Sequence, residues 1–358
     1  MWRQDDLFAK LNRASMRPYP EDEGLDGVRR VLSEGGPGLT LLPACPLMHG
    51  TGGFTANECL AEGGRVVLLS DHRLNPVELL GSVVREKVNV LVIVGDPFAR
   101  PILDVLDAEP GRFDLSSLAV IGSSGAMWSE QVKERLLRHA PGLLLIDAFS
   151  SSEAIGMGTS LVTAGASGAT AVFKLGPEVR VLGPDGRDVE PGSAETGVLA
   201  LGGRNPLGYY KDEDKTAATF QVIDDVRYSV PGDFAQVQAD GTIQLLGRGT
   251  VVINTAGEQV FPEEVEEALK THPAVRDAVV VGVPDERYGE MVVAAVSISA
   301  DPAPSEQELI DHVKGRLAHF KAPRRVRTLD TLGRSPSGKL DYRRHRREAA
   351  AWVVSHSG

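Results

Sequence analysis

The stretch LLLIDAFSSSEA, Leu143–Ala154, joins an apolar run to a polar cluster without a break. Leu143–Phe149 reads as a buried strand. The next residues set an aromatic, three hydroxyls and a carboxylate side by side. In open α/β sheets, ligands lie beyond the carboxyl ends of the strands, which is where such a loop would fall. Hydroxyls bond phosphate oxygens, an aromatic ring stacks on a base, and Glu153 has the chemistry to hold Mg²⁺. The bland alternative for Glu153 is a carboxylate opening the next element.

The same pattern repeats upstream. GRVVLLS (Gly64–Ser70), VNVLVIVG (Val88–Gly95) and LAVIG (Leu118–Gly122) are short apolar runs that read as buried strands. Between them, NPVELLGSVVREK opens with Asn75 as N-cap and Pro76 at the first helical position. Val77, Leu80, Val83 and Val84 would share one face of that helix. A further helix is expected from about Ser129 to Leu137. Strands alternating with helices predict an α/β fold with a largely parallel sheet. GSSGAMWS (Gly122–Ser129) is a second loop at a strand end, and its glycines would let a flat ligand approach the backbone.

From about Gly165 the texture changes to Gly, Pro, Thr and short alternating strands. EVRVLGPDGRDV carries a hairpin signal at Pro184-Asp185-Gly186. Residues 165–248 are therefore expected to form a small β-barrel subdomain, after the α/β part at 1–164. Residues 249–358 are expected to form a C-terminal α+β domain: FPEEVEEALKTH helical, AVRDAVVVGVPDERYGEMVVAAVSI two strands around a turn, and SEQELIDHVKGRL helical behind Ser305.

The chain has 358 residues, 42% hydrophobic and 24% charged, with a formal net charge of −11. That balance argues against a general nucleic-acid or anionic-membrane surface. The run Arg343, Arg344, Arg346, Arg347 reads either as a local basic patch or as a solvated helix face. Cys45 and Cys59 form no disulfide framework, no apolar run reaches bilayer length, and the start lacks a signal-peptide core. A cytoplasmic protein is expected.

Near the end, GRSPSGKL (Gly333–Leu340) falls one residue short of a phosphate-binding P-loop, with Leu340 where Ser or Thr belongs. Four separated motifs explain it better: DAFSSSEA, YSVPGDFA (Tyr228–Ala235), LLGRGTVVINTAGEQVFPEEVE (Leu245–Glu266) and SPSGKLDYRR (Ser335–Arg344). In this order they resemble the adenylate-forming superfamily of acyl-CoA synthetases, luciferases and peptide-synthetase adenylation domains. PLMHGTGGF (Pro46–Phe54) and GYYKDEDKTAATF (Gly208–Phe220) match as well. Within the superfamily the chain is most similar to actinobacterial fatty-acid–CoA ligases, some of which activate steroid side-chain acids.

The resemblance implies two half-reactions, with ATP, Mg²⁺ and coenzyme A as partners of a carboxylic acid. The acid attacks the α-phosphate to give an acyl-adenylate; after the C-terminal domain turns, the CoA thiol displaces AMP. Phe149 would stack on adenine, with Gly125 and Ala126 along it. Ser152 would lie near the α-phosphate and Glu153 would hold the metal. Asp233 would accept the ribose hydroxyls, with Arg248 on the ribose and phosphate side. Thr250 would be the hinge and Gly257 part of the cofactor loop. His49 would border the acyl pocket, or be a satisfied structural histidine. Lys339 would deliver its ammonium to the α-phosphate during adenylation.

Several positions depart from the family pattern: Thr250 at a hinge usually Asp or Lys, Pro231 before Asp233, Ser150 for a common Gly, and Ala256 for another. The family's Ser/Thr/Gly-rich phosphate loop, ending in Pro-Lys-Gly, does not occur. MWRQDDLF resembles the family segment on the C-terminal side of that loop, so the chain is expected to begin just past it. Exposed sheet edges would then favour dimerisation or pairing with an upstream fragment. The competing expectation is a non-catalytic remnant that binds AMP or acyl-adenylate, or pairs with another chain.

Overall fold

In the computed structural model, which describes residues 1–15, 17–20, 22–166, 169–299 and 302–356, the short apolar runs become central strands. Strands β1 (Thr40–Pro43), β2 (Arg65–Val66), β3 (Val90–Ile93), β4 (Val120–Ser124) and β5 (Leu144–Phe149) pair in parallel in the order β2-β1-β3-β4-β5. Helices α1 (Gln4–Ala14), α2 (Gly24–Glu34), α3 (Gly50–Ala61), α4 (Pro76–Glu86), α5 (Asp96–Ala108) and α6 (Glu130–His139) accompany them. Leu42, Leu80, Leu91, Leu103, Leu136 and Leu145 share one core. Strands covered on both faces need no polar alternation, which is why they read as continuous apolar runs.

The start of α4 follows its sequence signals. The Asn75 side chain accepts from the Val77 and Glu78 N–H groups at 3.1 and 3.2 Å, and Pro76 takes the first helical position. The buried face is centred on Leu79, Leu80 and Val83, whereas Val77 is exposed, which corrects the expected stripe by one step. The run Gly64–Ser70 is corrected too. Only Arg65 and Val66 pair, because β2 lies at the edge of the sheet, and Leu68 is exposed.

Residues 165–248 are mainly short antiparallel strands. β6 (Gly158–Val162) pairs antiparallel with β5, β7 (Val172–Leu175) with β6, and Ile243 and Gln244 with β7. With β8 (Val179–Leu182), β9 (Thr196–Leu201), β10 (Phe220–Ile223), β11 (Val226–Ser229), β12 (Asp233–Val237) and β13 (Ile243–Arg248), they complete a 13-stranded sheet. These strands are joined to the parallel ones through β6 and β7. The hairpin at Pro184-Asp185-Gly186 is present, closed by the Gly183 N–H donating to Arg187 at 2.8 Å. One short helix, α7 (Glu213–Thr219), interrupts this region.

The chain divides into two compact units. The first comprises Met1–Pro231, Gln236–Gln244 and Pro336–Gly338; the second comprises Gly232–Ala235, Leu245–Ser335 and Lys339–Gly358. The second unit holds β14 (Ile253–Thr255), β15 (Glu258–Val260), α8 (Pro262–Lys270), β16 (Val275–Asp285), β17 (Gly289–Ile298), α9 (Glu306–Lys314), β18 (Arg325–Thr328) and α10 (Tyr342–Ser355). β16 and β17 pair antiparallel along nearly their whole length. Val280, Val292 and Val296 pack with α8 and α9, and Val279, Val281 and Val293 pack with Ala349 and Trp352 of α10. Both faces are covered, so the central residues of this hairpin, 278–283 and 291–296, are apolar.

Arg346 on α10 pairs with Glu290 at 2.7 Å, and Arg344 donates to the Leu332 carbonyl at 2.5 Å. Two of the four arginines of the run, Arg344 and Arg346, are therefore engaged within their own unit, while Arg343 and Arg347 are exposed. Among the described residues, no helix is long and apolar enough to cross a membrane.

Candidate active site

The first unit brings the Gly122–Ser129 loop against the start of α3. Gly125 has φ +90°, and a side chain there would touch His49 Cε1 at 3.4 Å and Thr51 Oγ1 at 3.6 Å. Only glycine accepts that conformation without strain. The loop is fixed from behind: Ser129 N–H and Oγ reach Asp96 Oδ1 at 2.9 and 3.1 Å, and Gly95 N–H donates to Ser123 Oγ at 2.9 Å. His49, the residue preceding α3, and Ala126, next to Gly125, are half-buried.

The polar cluster after β5 folds as tight turns and opens no helix, so Glu153 is not a helix-start carboxylate. Ser151 Oγ accepts from the Ala154 N–H at 3.1 Å, and Ser150 Oγ from the Gly156 N–H at 3.0 Å. Ser152 is exposed, with its Oγ 3.4 Å from where a Gly50 Cβ would lie. Phe149 is half-buried against Phe173, with ring centroids 5.8 Å apart. Beneath the turns, Lys133 Nζ and Asp147 Oδ2 form a buried pair at 2.9 Å. Burial is the main influence on the Asp147 carboxyl and raises its pKa.

Glu153 has a partner that the sequence did not announce. The Tyr209 hydroxyl donates to Glu153 Oε1 at 2.7 Å, and Lys215 Nζ lies 4.0 Å from the centre of the Tyr209 ring. Tyr209 belongs to GYYKDEDKTAATF, a recognisable motif in which nothing local marked the tyrosine as a carboxylate's partner. One half-buried, oriented carboxylate suits Mg²⁺, which binds through one or two carboxylates plus phosphates and waters.

In the second unit, Asp233 is buried, and Arg248 Nε donates to its Oδ1 at 3.2 Å. Nearby, burial pushes Glu263 up to about 7, and the Asp233 charge acts in the same direction. Thr250 sits in a single 3₁₀ turn, Gly249–Val251. Ala256 and Gly257 form the two-residue loop between β14 and β15, with φ +52° and +85°. Positive φ at both positions is the pattern of a type I′ hairpin turn.

Lys339 is exposed on a closed turn: Ser335 N–H donates to the Lys339 carbonyl at 2.9 Å, and Lys339 N–H donates to Ser335 Oγ at 3.1 Å. The turn does lie between a strand and a helix, as a P-loop would. However, Asp341 caps α10, accepting the Arg344 N–H at 2.9 Å. The helix start thus already carries its own carboxylate, which is unsuited to cradling phosphate. Two residue pairs that sequence reasoning passed over flank this turn: Arg334 with Asp277, and Tyr342 with Glu266.

The chain belongs to the AMP-binding enzyme family: residues 24–210 match that family and residues 264–339 match its C-terminal domain. Over 353 residues it is 41% identical to the 3-oxocholest-4-en-26-oate–CoA ligase of Rhodococcus rhodochrous, covering 96% of this chain and 62% of that protein. It is 42% identical to the medium-chain acyl-CoA ligase Mig of Mycobacterium avium, covering 98% of this chain and 63% of that protein. The chain thus spans somewhat less than two thirds of these relatives. Among solved structures it resembles the amide bond synthetase McbA of Marinactinospora thermotolerans, with TM-score 0.76 and 25% identity over 96% of this chain and 65% of that one.

Proposed function

We propose that the chain is the acyl-adenylate-holding and lysine-bearing part of an ATP-dependent acid–CoA ligase acting on fatty or steroid side-chain acids. The observation that carries this reading is the likeness along 96% of the chain to a protein named as a steroid-acid–CoA ligase. The folded motifs support it. Phe149, Gly125 and Ala126 are assigned to adenine, Ser152 to the α-phosphate, and His49 to the border of the acyl pocket. Asp233, held by Arg248, is assigned to the ribose hydroxyls, and Gly257 to the cofactor loop. Glu153 would hold Mg²⁺, which when bound supplies charge neutralisation to the phosphates. Lys339 would place its ammonium where charge grows between the carboxylate and the α-phosphate.

The test is calorimetry with AMP and a non-hydrolysable acyl-adenylate mimic. Both are expected to bind, and Asp233→Ala is expected to weaken each by about 1.5–3 kcal/mol through loss of a charged acceptor. Unchanged affinity in a folded variant would remove Asp233 from the ribose site. Absence of binding to the unaltered chain would contradict the proposal.

A further inference from the structure

We propose that Arg334 and Tyr342 are positioning residues for Lys339, tying both ends of its turn to the interior of the second unit. The inference rests on the catalytic reading of Lys339 given above.

Before the turn, Arg334 binds Asp277 of β16 through two hydrogen bonds, Nε to Oδ2 at 2.7 Å and Nη2 to Oδ1 at 2.8 Å. Both side chains are largely withdrawn from solvent, 19% and 24% exposed. After the turn, the Tyr342 hydroxyl meets both oxygens of Glu266 on α8, at 3.0 and 3.1 Å. Glu266 is itself buried and accepts the Val280 N–H at 2.9 Å. The two ties therefore reach neighbouring positions of β16, three residues apart in the strand. The turn's own two hydrogen bonds between Ser335 and Lys339 close the interval. Behind it, the Arg344 guanidinium occupies the space a side chain would need at Gly333, whose φ is +64°.

Surface turns do not need such anchoring to be stable, and buried charged groups add little net stability over apolar ones. A bidentate arginine and a phenol on a carboxyl do, however, specify direction. A lysine must be presented to a reacting phosphate with little play, since a displacement near 1 Å costs on the order of a hundredfold in rate. These contacts hold the backbone at Lys339. Burial raises the pKa of the Glu266 carboxyl that the phenol meets.

The experiment compares Tyr342→Phe and Arg334→Lys with the unaltered chain, each supplied for the rate assays with an upstream segment carrying the family's phosphate loop. Both substitutions keep the side-chain bulk or charge. Amide hydrogen exchange across residues 335–341 is expected to quicken about tenfold or more, with exchange in β16 and β17 unchanged. Adenylate formation is expected to fall by about ten- to a hundredfold in kcat rather than KM, while thioester formation from preformed acyl-adenylate stays within about twofold. Unchanged exchange over 335–341 in both variants would overturn the proposal. So would a loosened turn with undiminished adenylate formation. If Lys339→Ala retained adenylate formation, the assigned function would fail instead, and the exchange comparison would still decide whether the two residues hold the turn.

Discussion

The Tyr209 hydroxyl donates to Glu153 Oε1 at 2.7 Å, joining two motifs 56 positions apart. A carboxylate so held presents its remaining lone pairs in a fixed direction. Tyr209→Phe removes one hydrogen bond to a charged group, worth about 1.5–3 kcal/mol. With the family's phosphate loop supplied on an upstream segment, adenylate formation is expected to fall about tenfold or more, with AMP affinity unchanged. Pyrophosphate release and AMP calorimetry on the same preparation would check this; an equal loss in both would place Tyr209 in nucleotide binding instead.

The Ala256-Gly257 turn carries a small strain. Ala256 has φ +52° and is exposed, with its N–H donating to Tyr288 at 2.8 Å. A residue with a Cβ costs about 1–2 kcal/mol in that region, and glycine returns part of this through greater unfolded-state freedom. Ala256→Gly is therefore expected to stabilise the second unit by up to about 1 kcal/mol, read as a rise in the urea midpoint at unchanged slope. A fall in the midpoint would contradict the strain.

Glu266 gives a pH dependence with a defined sign. Its folded-state pKa is pushed up to about 8, chiefly by burial and then by the neighbouring Glu263, against an ordinary value of 4.5. The folded form thus holds its proton where the unfolded form has lost it. The associated stability is fully present below 4.5 and is lost as pH rises through 8. Glu263, also raised chiefly by burial, acts in the same sense. His312 and His345 are lowered from 6.5, mainly by burial, and oppose the trend only at and below that pH. Between pH 7 and 9, Glu266→Gln is expected to flatten the decline in urea midpoint. Parallel curves would show that Glu266 is not the titrating group.

The elements that announced themselves in the sequence are those whose local chemistry is sufficient. Asn75-Pro76 begins α4, Ser305 caps α9 by accepting the Glu308 N–H at 3.1 Å, and the valine runs of β16 and β17 form one hairpin. α3 and α5 were not legible: the first opens with three glycines in four residues, and the second contains Pro101. β1 is only four residues long and ends in proline. The paired partners of the site were hidden for another reason. Tyr209 and Glu153, or Tyr342 and Glu266, meet only through tertiary folding, and neither tyrosine sits in a pattern that distinguishes it from a packed one.

The assignment of Lys339 is the centre of the account, and separating the two half-reactions in Lys339→Ala tests it most directly. The variant keeps the Ser335 backbone contacts, since these use main-chain atoms of residue 339. With an upstream segment carrying the family's phosphate loop supplied, adenylate formation from acid and ATP is expected to drop by on the order of a hundredfold or more, as for loss of a charge placed at the developing transition state. Thioester formation from preformed acyl-adenylate and CoA is expected to remain within about twofold. Equal losses in the two assays, or none in the first, would contradict the role given to Lys339.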